Sequence, residues 1–200
     1  MAMGASRTAA GERLALLGCL LASGCYLGSA RNATPADLAN NDRWERVTGV
    51  PDIRQAARED CGAAALAMVL DYWGLPTPRD EIAAAFPETP ARGIRAKDLR
   101  AFARERGLEA FLVRGQLADL DREVAGRRPV LVGMMKRYGR RAYPHYEVVV
   151  GIDRRTQRIL TLDPAYGPRV NSRDGFVGEW AAAQWVTLIV FPRTNPKEPQ

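Results

Sequence analysis

An α+β domain is the fold class this 200-residue sequence predicts, with N-terminal helices packed on a C-terminal antiparallel sheet. Two observations carry it. Between residues 60 and 106 the apolar residues recur at helical spacing, in successive segments separated by short polar breaks. From residue 129 the pattern changes to short runs rich in Val, Ile and Leu, two of them separated only by the polar stretch "RRTQ", as hairpin strands are.

In chain order, a first helix runs from Asp60 to Trp73. Asp60 is an N-cap residue type, Leu66, Val69, Leu70 and Trp73 mark its apolar stripe, and Gly74 suits the C′ position. A second helix follows Thr77-Pro78 with Ile82 and Phe86 turned inward. A third spans Ala96 to Arg106, with Leu99, Phe102 and Ala103 on one face and Gly107 as its stop. "LEAFLV" (Leu108 to Val113) reads as a strand and Leu117 to Ala125 as an amphipathic helix. "PVLVGMM" (Pro129 to Met135) is a buried strand whose proline stands first, where a missing donor is tolerated. "YEVVVGID" and "RILTLD" form the hairpin, "FVGEWAAAQ" a short helix, and "WVTLIVF" (Trp185 to Phe191) a last core strand.

The ends read differently. Arg7 and Arg13 precede an apolar run, Leu14 to Gly24, of signal-peptide length and too short to span a bilayer. It ends in "LASGC", small residues directly before Cys25, which resembles a bacterial lipoprotein processing site; "LLGC" at Cys19 is a second candidate with a shorter apolar run. The resulting domain plan is a lipoprotein signal peptide (1–24), a flexible tether (25–47), one catalytic-size domain (48–193) and a disordered tail (194–200). The expected location is the bacterial cell envelope, extracytoplasmic and lipid-anchored through Cys25, on the outer membrane facing the periplasm. With Cys19 in the leader and Cys25 acylated, Cys61 is left alone and no disulfide scaffold is expected.

Charge narrows the partners. The net charge is +6, but the densest basic groups, Arg127-Arg128 and "KRYGRR" (Lys136 to Arg141), are short and carry no aromatic-basic stripe, so a nucleic-acid partner is not expected. One histidine and one usable thiol do not make an ordinary zinc site, and no glycine-rich phosphate loop is present, so no metal or cofactor is expected. No signal for an oligomer is legible.

Four residues can carry chemistry. Cys61 stands at the first turn of its helix, where unpaired backbone N–H groups and the helix dipole favour a thiolate, although a small buried thiol would fit there too. His145 is the only histidine in the chain and therefore the one conventional base for that thiol. In the hairpin, Val148, Val150 and Ile152 alternate on one face, as do Leu160 and Leu162; pairing those faces sends His145, Glu147, Val149, Ile159, Thr161 and Asp163 to the other. Asp163 then lies opposite about residue 147, within reach of His145, as an orienting third member would. Asp153, in the turn, is too far along the hairpin. Gln55, upstream of Cys61 in the loop entering the helix, could join the Cys61 backbone N–H in stabilising an oxyanion.

The block "Q-(five)-DCGAAALAMVLDYWG", with "HYEVVVGID" and "LDPAYG", resembles the bacteriocin-processing, double-glycine leader peptidase family, over about residues 48–191. That resemblance implies a papain-like cysteine peptidase fold, a peptide or protein substrate, Cys61 as nucleophile, His145 as general base and acid, Asp163 as orienter and Gln55 as oxyanion donor. The expected function is hydrolysis of a peptide bond through a thioester acyl-enzyme. The alternatives are an NlpC-type cell-wall endopeptidase or acyltransferase, whose usual second histidine this chain lacks, and a non-catalytic peptide-binding module on the same fold.

Overall fold

Helix α2 organises the molecule. In the computed structural model, which describes residues 26–39, 43–87 and 93–193, a 3-10 turn (Arg58–Asp60) leads into α2 (Cys61–Tyr72), in which every residue but Asp71 is buried. "GAAALAMVL" has small residues on every side, so neighbours close in all round it, and truncating Leu66, Met68 or Leu70 to alanine is expected to cost about 2–5 kcal/mol. Gly74, at φ +79°, ends the helix as predicted, and the Trp73 indole donates to the Val190 carbonyl at 2.8 Å.

Ahead of α2 come β1 (Arg31–Asn32), α1 (Pro35–Leu38) and β2 (Trp44–Arg46). After it come α3 (Arg79–Ala84), α4 (Ala96–Glu105), β3 (Glu109–Arg114), α5 (Leu117–Ala125), β4 (Val130–Tyr138) and β5 (Arg141–Asp153). The chain then forms β6 (Ile159–Asp163), β7 (Gly167–Asn171), α6 (Arg173–Ala182) and β8 (Val186–Phe191). The antiparallel sheet has the order β1-β7-β6-β5-β4-β8-β3, with β2 pairing the far end of β5. Helices α3 and α4 pack on α2, which lies on β5 and β4; α6 packs on β4. Among the described residues no helix is long and apolar enough to cross a membrane.

Three expectations need correction. The stretch read as a tether is, where described, part of the domain. β1 pairs β7, α1 carries a Thr34–Asp37 capping box, β2 pairs β5, and Trp44 and Val47 are buried. The strand expected to begin at "YEVVVGID" begins earlier, at Arg141, and includes His145: "KRYGRR" is the tip of a long β4–β5 hairpin, Tyr138 paired with Arg141 around Gly139 at φ +56°. β7 was not expected as a strand. The predicted signal peptide, Cys19, Cys25 and the terminal tail lie outside the described residues.

The hairpin register is right where it matters and wrong beyond. Val148 pairs Leu162 and Val149 pairs Thr161, as the apolar alternation predicts. A β-bulge at Val150 then puts Gly151 opposite Leu160 and Ile152 opposite Ile159, so Ile152 leaves the face assigned to it. Gly151 suits the crowding there: a Cβ would lie 3.1 Å from Arg46 and 3.3 Å from Leu160.

Candidate active site

Three elements bring the predicted residues together. Cys61 is the first residue of α2, buried, and the one free cysteine among the described residues. Gly62 beside it keeps the helix close to the sheet, since a Cβ there would meet the Tyr146 ring at 3.2 Å. His145 lies opposite Met134 in the β4–β5 ladder, and Asp163 ends β6. The His145 Nε2 is 2.8 Å from Asp163 Oδ1, which leaves Nδ1 for the Cys61 thiol that hydrogen-bonds the ring.

Electrostatics follow from these contacts. Burial disfavours an imidazolium, but the hydrogen bonds the ring makes to Asp163 and Cys61, with their charge attraction, outweigh it and raise the His145 pKa to about 10. Burial likewise opposes ionised Asp163, yet His145 and the Ala165 N–H hold its carboxyl below the usual range. That N–H donates to Asp163 Oδ1 at 2.8 Å.

The "DPAY" turn after Asp163 also fixes the Gln55 loop. The Pro164 carbonyl accepts the Gln55 N–H at 3.0 Å, and the Arg54 guanidinium reaches the Pro164 and Ala165 carbonyls. Gln55 thus lines the cleft, and its side-chain amide donates to the Ala57 carbonyl at 3.0 Å, so a single amide hydrogen is left to face a ligand. The cleft, of about 410 Å³, is walled by Gln55, Arg58, Tyr138, Tyr143, His145 and Tyr166. The Arg58 guanidinium covers the Tyr143 ring at 4.4 Å, and the Tyr138 and Tyr166 hydroxyls are 3.2 Å apart.

Sequence reasoning missed a buried charge cluster behind the dyad. Lys136 shares the His145 face of the sheet, lines the cleft, and is ion-paired with Glu147 and, at 2.7 Å, with Glu179 of α6. The Tyr26 hydroxyl donates to Glu179 at 2.6 Å. Burial works against the Lys136 ammonium, but the two carboxylates keep its pKa above the ordinary lysine value. His145, Glu147 and Asp163 each offer a ligand atom within 4.8 Å of the others, but the Lys136 ammonium already faces Glu147, so a metal ion would meet like charge. The signal that could have found this cluster is a charge inside each of two apolar strand runs, "MMK" and "HYEVVV".

The Peptidase C39 family model matches residues 50–195. The pediocin PA-1 transport/processing ATP-binding protein PedD of Pediococcus acidilactici is 29% identical over 143 residues, 72% of this chain. The match covers only 19% of that curated relative's length. A C39-like peptidase from Bacillus anthracis superposes with a TM-score of 0.62 at 16% identity, over 77% of this chain and 100% of its own. A double glycine motif protease from an AMS/PCAT transporter, solved with a leader peptide, gives 0.58 at 24% identity, over 74% and 94%. These likenesses bear out the α+β, papain-like fold that the sequence predicts.

Proposed function

The chain belongs to the Peptidase C39 family and is a cysteine peptidase; from that premise we propose that Cys61 is its nucleophile, His145 its general base and acid, Asp163 the orienter of the imidazole, and Gln55 an oxyanion donor. The observation that carries this reading is the imidazole held between the Asp163 carboxylate and the Cys61 thiol. The proton shared between sulfur and Nδ1 rests on the imidazole, whose pKa is raised, and the sulfur attacks the scissile carbonyl. The remaining Gln55 amide hydrogen and the Cys61 backbone N–H face the oxyanion as it forms. Collapse delivers the Nδ1 proton to the leaving amine and leaves a thioester. Water, deprotonated by His145, then releases the acid and restores the thiol. A relative named for transport and processing, and another solved with a leader peptide, support a peptide substrate.

Iodoacetamide alkylation of the purified protein across pH tests the assignment. Cys61 of the wild type is expected to be alkylated faster than Cys61 of His145→Ala. Equal alkylation in the two proteins overturns the assignment.

We further propose that the chain is anchored outside the cytoplasm by a lipid on Cys25, in the cell envelope. The support is in the sequence: Arg7 and Arg13, the apolar run Leu14 to Gly24, and the small residues before Cys25. Metabolic labelling with a fatty acid is expected to mark the wild type but not Cys25→Ser. Label that survives Cys25→Ser and disappears in Cys19→Ser moves the site to Cys19, and no label at all removes the anchor.

A further inference from the structure

The residues directly after Cys25 do not hang free. Tyr26 forms an antiparallel bridge with Tyr138, its ring 5.4 Å from the Tyr138 ring and its hydroxyl on Glu179. The Leu27 N–H donates to the Arg137 carbonyl at 2.9 Å, while the Leu27 side chain is 61% exposed. Gly28 passes so close that a Cβ would lie 2.1 Å from Glu179 Oε1, and β1 then pairs β7. A free tether over residues 26–47 would let the domain range roughly 75 Å from its anchor. Instead one peptide unit, about 3.8 Å, separates residue 25 from a residue fixed on the β4–β5 hairpin.

That hairpin is also the lip of the cleft, for Tyr138 and Tyr143 both line it. Its tip carries Arg137, Arg140 and Arg141, all exposed; two acidic groups share a shallow depression with Arg137, exposed Asp174 and buried Glu179, the latter already paired with Lys136. A basic patch beside an acyl anchor is a combination that holds a protein on an anionic bilayer.

We propose that the β4–β5 tip, with Arg137, Arg140 and Arg141 beside the docked Tyr26–Leu27 segment, is a surface that rests on anionic lipid and holds the cleft against the bilayer. The substrate class narrows accordingly, to peptides presented at or just above a membrane surface. The proposal rests on the anchoring reading, that Cys25 carries the lipid.

Hydrogen–deuterium exchange of the full acylated chain tests it, in phosphatidylcholine vesicles with and without phosphatidylglycerol. Amides of residues 136–143 are expected to gain protection only when phosphatidylglycerol is present, and the gain is expected to be lost at high salt and in Arg137→Glu/Arg140→Glu. That variant is expected to keep the iodoacetamide profile of Cys61. Unchanged exchange at the tip in anionic vesicles, with mass spectrometry showing the acyl group on Cys25, overturns the proposal and leaves the anchor standing. An N-terminal peptide without lipid on Cys25 overturns the anchor and the proposal together.

Discussion

Strand β5 carries two fully buried carboxylates, and they are treated in opposite ways. Asp153 is saturated: the Arg155 and Thr156 N–H groups, the Thr156 hydroxyl and the Arg43 and Arg158 guanidinium groups all donate to it. Those bonds tie the β5–β6 turn to the segment entering β2, and they hold Asp153 ionised despite burial. Glu147 meets the Lys136 ammonium as a charge contact, and neither of its oxygens has a well-directed hydrogen bond. It lies beside His145 and Asp163. A carboxylate with every lone pair used holds structure. One left partly unsatisfied beside His145 and Asp163 adds its charge to the field those two sit in.

If that contrast holds, damage at His145 should remove activity beyond any loss of folded protein, whereas damage at Asp153 should lower stability and leave the activity of the folded molecules unchanged. The largest effect expected is on catalysis: His145→Ala should lower kcat/KM on a cleaved peptide, per folded molecule, by about three to four orders of magnitude. Next is Lys136→Met, which strands Glu147 as an uncompensated buried charge and should cost about 3–5 kcal/mol in urea unfolding. Adding Glu147→Leu should recover a large part of that loss; no recovery would mean that Glu147 is not where the cost lies. Asp153→Ala should cost about 3 kcal/mol, because the turn N–H groups lose their acceptor, while kcat/KM per folded molecule stays at the wild-type value.

The smallest effect is a pH dependence of stability. His145 is raised from 6.5 to about 10, so its protonated pairing stabilises fully below about pH 6.5 and fades as pH climbs through 10. Asp163 is lowered from 3.8, so its contribution is present above that value and is lost as acid takes the pH below it. The Tm difference between wild type and Asp163→Asn should therefore be widest between about pH 4 and 6.5. A difference that does not vary from pH 4 to 10 would uncouple the pair from folding.

What the sequence made legible follows from how local each signal is. Helices α2 and α4, Gly74 and Gly107 rest on local signals and stand where expected, although α2 is buried all round and not along one stripe. His145 and Asp163 were found on one face because the alternation between Val148 and Leu162 is unbroken up to the site. The bulge was invisible, since "VVVGI" is apolar throughout and offers no contrast between faces. Tyr26 and Trp44 were lost in an apparent tether because each pairs with a residue more than a hundred positions away, at Tyr138 and Asp153. Lys136 and Glu147 went unread because each cancels the other only once the hairpin has closed.

The one-residue irregularity at Val150 decides more than register. Had β5 alternated without a break, Asp153 would project to the same side as His145, Glu147 and Asp163, and its arginine partners would have to gather behind the His145–Asp163 pair. The phase slip turns Asp153 to the other side of the sheet, where it shares a face with Trp44. A single strand therefore serves as a wall between two compartments, one holding the His145–Asp163 pair and one holding the chain's early segment, and one inserted residue insulates each from the other.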